Sequence, residues 1–256
     1  MTDLPVIDIH AHILPDLDDG SPSWEDSLEM AAQAVDSGVT AIVATSHANL
    51  PGQSGSWEKA KYQRQLEQFR WLLESEGMAL KVYSGMEIYG DGNFIWRLKS
   101  RELLTLGNTG YVLVEFPMNG PAGDIYTKLD QILQIDLIPV LAHPERYACV
   151  QRVPAHVQEW RAMGAVIQMN KGSILGSFGR RIQRTADSLL RHRMVDVAAS
   201  DAHSPWHRTT DMELLAQTLG DHYGDACPRL LLWENPEKIL KGRKIFREEM
   251  IPYDYS

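Results

Sequence analysis

The sequence is poor in cysteine and has no long apolar run. Its 256 residues include two cysteines, Cys149 and Cys227. That is too few for a disulfide framework and fits a reducing compartment, so a cytoplasmic location is expected. No apolar stretch is long enough to cross a bilayer, so no membrane insertion is expected. The opening Met-Thr-Asp-Leu-Pro has neither the basic flank nor the apolar run of a signal peptide. Positive charge is in deficit: 25 Lys and Arg stand against 34 Asp and Glu, a net charge of -9. No Lys/Arg stripe is present to track phosphates, so no nucleic-acid partner is expected. Gly-x-Gly-x-x-Gly, Walker and Gly-x-Ser-x-Gly patterns are missing, as are low-complexity tracts and solenoid periods. What remains is 44 % hydrophobic and 23 % charged, ordinary for a soluble globular chain. No linker interrupts it, so one domain over residues 1–256 is expected.

What is present is organised around Val6 to His12, Val-Ile-Asp-Ile-His-Ala-His. Ile7 and Ile9 alternate with Asp8 and His10, the period of a strand with one buried face. His10 and His12 are two apart, so an extended backbone points both imidazoles to one side, where they can grip a metal ion. A loop from Leu14 to Ser21 carries Asp16, Asp18 and Asp19. A helix then keeps Trp24, Leu28, Ala31 and Val35 at helical spacing, with Gly38 as its stop. A strand from Val39 to Thr45 ends at His47. A Pro-, Gly- and Ser-containing loop over 49–56 leads to a helix from about Trp57 to Glu76.

The cycle repeats. Strands are predicted over Leu80–Ser84, leading to Glu87, over Tyr111–Val114, ending at Glu115, and over Ile138–Ala142, ending at His143. Two more run over Val166–Met169, ending at Asn170, and Val195–Ala199, ending at Asp201 and His203. Helices around 125–134, 155–163, 181–190 and 236–240 separate or follow them. About seven strand–helix units imply an α/β fold with a parallel sheet. Their evenness suggests a closed barrel, whose chemistry would sit on loops at the C-terminal ends of its strands.

Closure would bring His10, His12, Asp19, His47, Glu87, Glu115, His143, Asp201 and His203 to one rim. Four carboxylates there repel one another, and without cations some would have to take up protons. Two or three divalent ions remove that difficulty. Nine residues are too many for one tetrahedral zinc, and mixed imidazole and carboxylate ligation without thiolate points to Mn, Fe or Zn. Ions about 3.5–4 Å apart can hold a hydroxide and bind phosphate-ester oxygens. Three such ions against four carboxylates leave about two positive charges, which favours an anionic substrate. Arg146 and Arg208 lie on the same presumed loops and could fork onto a phosphate.

Five stretches carry a specific resemblance: Ile-His-Ala-His-Ile-Leu-Pro with Asp18-Asp19-Gly20, Ala44-Thr45-Ser46-His47, Ala142-His143-Pro144-Glu145-Arg146-Tyr147, Gln168-Met169-Asn170-Lys171-Gly172-Ser173 and Ser200-Asp201-Ala202-His203. Together with Glu234-Asn235-Pro236 they resemble the polymerase-and-histidinol-phosphatase (PHP) superfamily. Within it they resemble the metal-dependent protein-tyrosine phosphatases of bacterial capsule and exopolysaccharide operons. The likeness covers nearly the whole chain. It implies a distorted seven-stranded β/α barrel with a trinuclear site. His10, His12, Glu87 and Asp201 would hold one ion, Glu87, Glu115 and His143 a second, and Asp19, His47 and His203 a third. Arg146 and Arg208 match the family's active-site arginines. The implied substrate is phosphotyrosine on a partner protein, typically the operon's tyrosine kinase. One departure stands out: Ser46 and Ala48 flank His47 where the family often has a proline before and a second histidine after.

Rival readings have their own marks. A cysteine-dependent phosphatase needs an arginine six residues after its cysteine, where this chain has Ala155 and Trp233. A metal-dependent amidohydrolase or barrel deoxyribonuclease also opens with His-x-His, but the acids after strands three and four and the Asp-x-His ending count against it. Histidinol-phosphatase-like and nuclease activities stay open within the superfamily. A non-catalytic kinase-binding regulator should have lost a ligand, and all nine are present. His156, His192, His207 and His222 are expected at the surface, and Trp24, Trp57, Trp71 and Trp160 in helix–barrel packing.

Overall fold

The computed structural model of the chain describes residues 4–51 and 59–253. Residues 52–56 of the expected loop and Trp57 lie outside them. The strands are β1 (Val6–Ala11), β2 (Val39–Ala44), β3 (His47–Ala48), β4 (Lys81–Ser84), β5 (Glu87–Tyr89), β6 (Tyr111–Glu115), β7 (Ile138–Ala142), β8 (Val166–Asn170) and β9 (Val197–Ala199). All pairings are parallel, in two runs, β1-β2-β4 and β3-β5-β6-β7-β8-β9. β2 with β3, and β4 with β5, are each one strand broken by two residues. Counted so, seven strands form a distorted β/α barrel. Its seam between β9 and β1 is an isolated Ala11–Ala202 bridge. Asp201 donates its N–H to the His10 carbonyl and His12 donates to the Ala202 carbonyl, both at 2.8 Å. Below the bridge, the Asp8 carboxylate accepts the Ser200 N–H at 3.0 Å.

Crowding explains the break in the second and third strands. A Cβ at Gly85 would lie 2.6 Å from Val43 Cγ1, so only glycine lets the chain pass there. Tyr62, from the helix Lys59–Ser75, fills the gap. Its hydroxyl donates to the Ala44 carbonyl at 2.7 Å and accepts the Gly85 N–H at 3.0 Å. Beyond the break the chains pair again with His47 opposite Glu87. Sequence periodicity does not foretell this, because the interruption serves a backbone approach rather than an apolar pattern.

Side chains divide with the strand period of two. Ile42, Ala44, Val112, Val114, Leu141, Ile167 and Ala198 join the helix residues Tyr62, Phe69 and Leu129 in an outer core layer. Ala41, Val43, Tyr111, Leu113, Val140, Ala142, Val197 and Ala199 form the inner cluster. Continued by two, that inner face reaches Glu115 on β6, and Gln168 and Asn170 on β8. β1 is buried along its whole length, so its alternation separates apolar from polar interior rather than core from water. Parallel strands covered on both faces behave this way.

The last segment closes the end of the barrel where β6 and β9 begin. Ile239 and Ile245 enter the inner cluster. Asn235, of the Glu-Asn-Pro stretch, donates to the carbonyls of Asp196 and Phe246 and accepts the Phe246 N–H. Among the expected packing tryptophans, Trp160 is buried and Trp24 stacks on Phe69 at 6.4 Å. Trp71 is instead 64 % exposed, because it follows Arg70 on the outward side of a helix whose buried face is Tyr62, Leu66, Phe69 and Leu73. No described helix is long and apolar enough to cross a membrane.

Candidate metal centre

The strand ends deliver all nine expected donors to one place. His10 and His12 come from the end of β1, His47 from β3, Glu87 from β5, Glu115 from β6, and His143 from just after β7. Asp201 and His203 follow β9. Only Asp19, from the first loop, is largely exposed. Three groups of donor atoms converge closely enough for an ion: His10, His12, Glu87 and Asp201; His47, Glu87 and Glu115; and His12, Asp19, His47 and His203. Glu87 is the hub. Its Oε2 is 3.2 Å from His10 Nε2, His12 Nε2 and His47 Nδ1, while its Oε1 meets His143 Nε2 at 2.8 Å. His47 faces two groups, with Nδ1 3.2 Å from Glu115 Oε1 and Nε2 3.5 Å from Asp19 Oδ1. The four residues of the first expected set are among those brought together. The second and third are joined through His47, and His143 lies 3.9 Å from Glu115 Oε2.

Hydrogen bonds fix which nitrogens point inward. The Asp201 carboxylate can only accept, so it is the Asn170 amide nitrogen that faces its Oδ2. Asn170 Oδ1 then faces Gln168 Nε2 at 2.9 Å, and Gln168 Oε1 faces His10 Nδ1 at 3.0 Å. His10 therefore carries its proton on Nδ1 and turns the Nε2 lone pair to the cluster. His12 reaches the same state through Asp18, whose Oδ2 is 2.7 Å from His12 Nδ1. Asp18 also accepts the N–H groups of His47 at 2.7 Å and Gly20 at 3.0 Å. A Cβ at Gly20 would lie 2.4 Å from the His12 carbonyl oxygen, so glycine lets that loop fold back on the strand. The two Nε2 atoms are 3.3 Å apart, beside two carboxylates. Such a concentration of lone pairs needs a cation between them.

The donors fit divalent ions. Asp201 Oδ1 and His47 Nδ1 are buried and have no hydrogen-bond partner. Separations of 3.2–3.5 Å between donors match ligands sharing one ion at about 2.1 Å, which stand roughly 3.0–3.4 Å apart. Without a bound ion the imidazoles must supply the positive charge themselves. Burial pushes the Glu87 carboxyl up, but protonated His10 and His47 outweigh it and hold it well below the usual carboxylate range. A bound cation would take over that role as the imidazoles give up their protons to ligate it. Asp201 is likewise held down against burial by His10 and His12. Burial, with the neighbouring His12, pushes His203 down to about 3, leaving a neutral imidazole suited to ligation.

Two arginines border the cluster. Arg146 Nη1 is 3.5 Å from Asp201 Oδ2. Arg208 pairs with the same oxygen and donates Nε–H to the Asp201 carbonyl at 3.0 Å. Backbone strain concentrates here: His143, Asp201 and Arg208 have φ of +38°, +51° and +53°, a region that costs a residue with a Cβ about 1–3 kcal/mol. Asp18, Gln168 and Asn170 are the site residues to which sequence reasoning gave no role, although all three stand in the stretches that carry the resemblance. Gln168 and Asn170 share the parity of the buried Val166, a signal that could have found them. Asp18 stands in a loop with no period to separate it from Asp16 and Asp19.

Comparison with known proteins agrees with this geometry. The family model described as capsular polysaccharide synthesis, CpsB/CapC, matches residues 6–241. The chain belongs to the CpsB/CapC family. Relatives in the family include tyrosine-protein phosphatase YwqE of Bacillus subtilis, 34 % identical over 254 residues and 96 % of each chain. Tyrosine-protein phosphatase CpsB of Streptococcus pneumoniae is 32 % identical over 247 residues, covering 94 % of this chain and 100 % of that one. Among solved structures, one from work on those two proteins, described there as unique metal-dependent tyrosine phosphatases, superposes with a TM-score of 0.90 at 33 % identity. The match covers 97 % of this chain and 99 % of the other. A β-aspartyl dipeptidase from Fervidobacterium islandicum, at 15 % identity and a TM-score of 0.55, shares the fold alone.

Proposed function

We propose that this protein is a metal-dependent protein-tyrosine phosphatase acting on a tyrosine kinase of bacterial polysaccharide synthesis. The observation that carries the metal reading is the polarity chain Asp201–Asn170–Gln168–His10, which with Asp18–His12 aims two imidazole lone pairs at Glu87 and Asp201. His10, His12, Glu87 and Asp201 would hold one ion, Glu87, Glu115 and His143 a second, and Asp19, His47 and His203 a third. Mn, Fe and Zn all suit this donor set. When bound, such ions supply an activated water and neutralise phosphate oxygens.

The chain's own residues do the rest. Asp18 and Gln168 keep His12 and His10 in the ligating tautomer. Arg146 and Arg208 stand where both guanidinium groups can fork onto a phosphate dianion and hold its oxygens through transfer. Family membership, with relatives named tyrosine-protein phosphatases, favours phosphotyrosine over a small-molecule ester. Metal stoichiometry on anaerobically purified protein, paired with assays on a phosphotyrosine peptide, histidinol phosphate and single-stranded DNA, tests the reading. Two or three ions per chain with peptide turnover supports it. Turnover that persists after verified removal of all metal ends it.

A further inference from the structure

We propose that Phe178 is a positioning residue that holds Arg146 and Arg208 side by side for a single phosphate group. The inference rests on the phosphatase reading above and deepens it. The guanidinium carbon of Arg146 lies 4.9 Å from the centre of the Phe178 ring, and that of Arg208 lies 5.9 Å from it. Both are within the range in which a cation is drawn to an aromatic face. One ring thus serves two like charges that would otherwise repel.

Asp201 cannot hold the pair alone. Its Oδ2 already receives the Asn170 amide and the Arg208 guanidinium, and Arg146 reaches it only at 3.5 Å. A carboxylate oxygen has two good lone-pair sites, so the third donor is weakly held. The ring attracts a guanidinium without using any lone pair, and leaves its N–H edges free to fork onto an anion. Phe178 also has a made seat. A Cβ at Gly172 would lie 2.8 Å and 2.9 Å from ring atoms Cε2 and Cζ, so the absence of a side chain there admits the ring. A cleft of about 220 Å³ adjoins Phe178 and Arg208, with Leu175 and Leu214 in its wall. Removing the ring would give Arg208 room to turn away from Arg146.

The attraction acts on the arginines, so it does not depend on what the phosphate is esterified to. The test uses the full metal-loaded chain. Inorganic phosphate binding is measured by calorimetry, with kcat and KM on phenyl phosphate and on an alkyl phosphate, and metal content in parallel. Phe178→Leu keeps bulk and loses the π face. It should weaken inorganic phosphate about tenfold, cost both esters the same factor in kcat/KM, and leave metal content unchanged. Phe178→Tyr should stay within about twofold of the parent. Unchanged phosphate affinity in Phe178→Leu overturns the proposal. So does a loss confined to phenyl phosphate, which would place the ring against the substrate, or a loss of metal, which would make it a structural support. If Phe178→Leu does not fold, Gly172→Ala displaces the ring while keeping it. Weaker phosphate binding in that variant supports the proposal, and unchanged binding overturns it. A parent chain that binds inorganic phosphate yet turns over neither ester fails the phosphatase reading, while the binding comparison still decides the role of Phe178.

Discussion

Replacing Asp18 by asparagine swaps one oxygen for an NH2 and leaves the shape intact. Three donors surround the carboxylate: His12 Nδ1–H and the His47 N–H on Oδ2, and the Gly20 N–H on Oδ1. An amide oxygen can keep the first two or the third, never all. Keeping the pair turns the amide N–H onto the Gly20 N–H, and one unmet donor costs about 1–3 kcal/mol. The bond to His12 also loses its charge, and with it about half its strength. Losing such an outer carboxylate lowers metal affinity about 10–100-fold, equal to about 1.4–2.7 kcal/mol. Asp18→Asn should therefore lose metal first on dialysis against a metal buffer and regain turnover when metal is added back. Its metal-free form should melt a few degrees lower, since 1 kcal/mol moves a chain of this size by about 2–4 °C. Metal affinity within twofold of the parent (about 0.4 kcal/mol) and an unchanged melt would show that Asp18 does not fix His12.

Four further outcomes follow from the same contacts. His143→Ala should lower turnover more than the about 10–100-fold of an outer-partner loss while circular dichroism stays native; chelation should do the same and be reversed by metal. Arg146→Ala should reduce kcat/KM on a phosphotyrosine peptide with metal content kept, and a metal-stripped variant would mean its role is misassigned. Asn235→Ala removes three hydrogen bonds far from the cluster and should cost about 2–4 kcal/mol of stability, read by denaturant melting, with kcat unchanged. Thiol reagents should leave activity intact. Burial pushes Cys227 up to about 12 and also raises Cys149, so at pH 8 roughly one Cys227 in ten thousand is thiolate; alkylation monitored by mass spectrometry checks this.

Legibility in the sequence followed the physics of each element. Strands and helices with a clear period were readable: β7 occupies Ile138–Ala142 as the pattern predicts, and Tyr62, Leu66, Phe69 and Leu73 form the buried face of their helix. Donor convergence was readable because parallel strands place all their C-terminal ends on one side. The breaks after Ala44 and Ser84 were not, since they answer to the packing of Gly85 against Val43 and to a tyrosine from a distant helix. Trp71 misled because aromatic identity says little about which side of a helix a residue occupies. Asp18 and Phe178 lie in loops, where neither period nor propensity marks the residue that will face a partner.

Asp201 joins the two halves of the site. Its Oδ1 faces His10 and His12 Nε2 at 3.3 and 3.5 Å, while its Oδ2 takes Asn170 and both arginines. One carboxylate therefore couples the cation-binding donors to the phosphate-binding guanidinium groups, from a backbone held at positive φ. Any phosphate that draws Arg146 and Arg208 toward itself relieves Oδ2 of two cationic partners and leaves Asp201 more electron-rich toward the histidine side, where cations bind. Phosphate and metal should thus strengthen each other's binding, by reciprocal linkage. Asp201→Ala would remove both effects at once, so its loss of activity cannot be assigned to either. His143→Ala and Arg146→Ala come nearer to separating them: His143 bonds to the cation-binding Glu87 and to neither arginine, and Arg146 touches the cation side only through its 3.5 Å approach to Asp201 Oδ2.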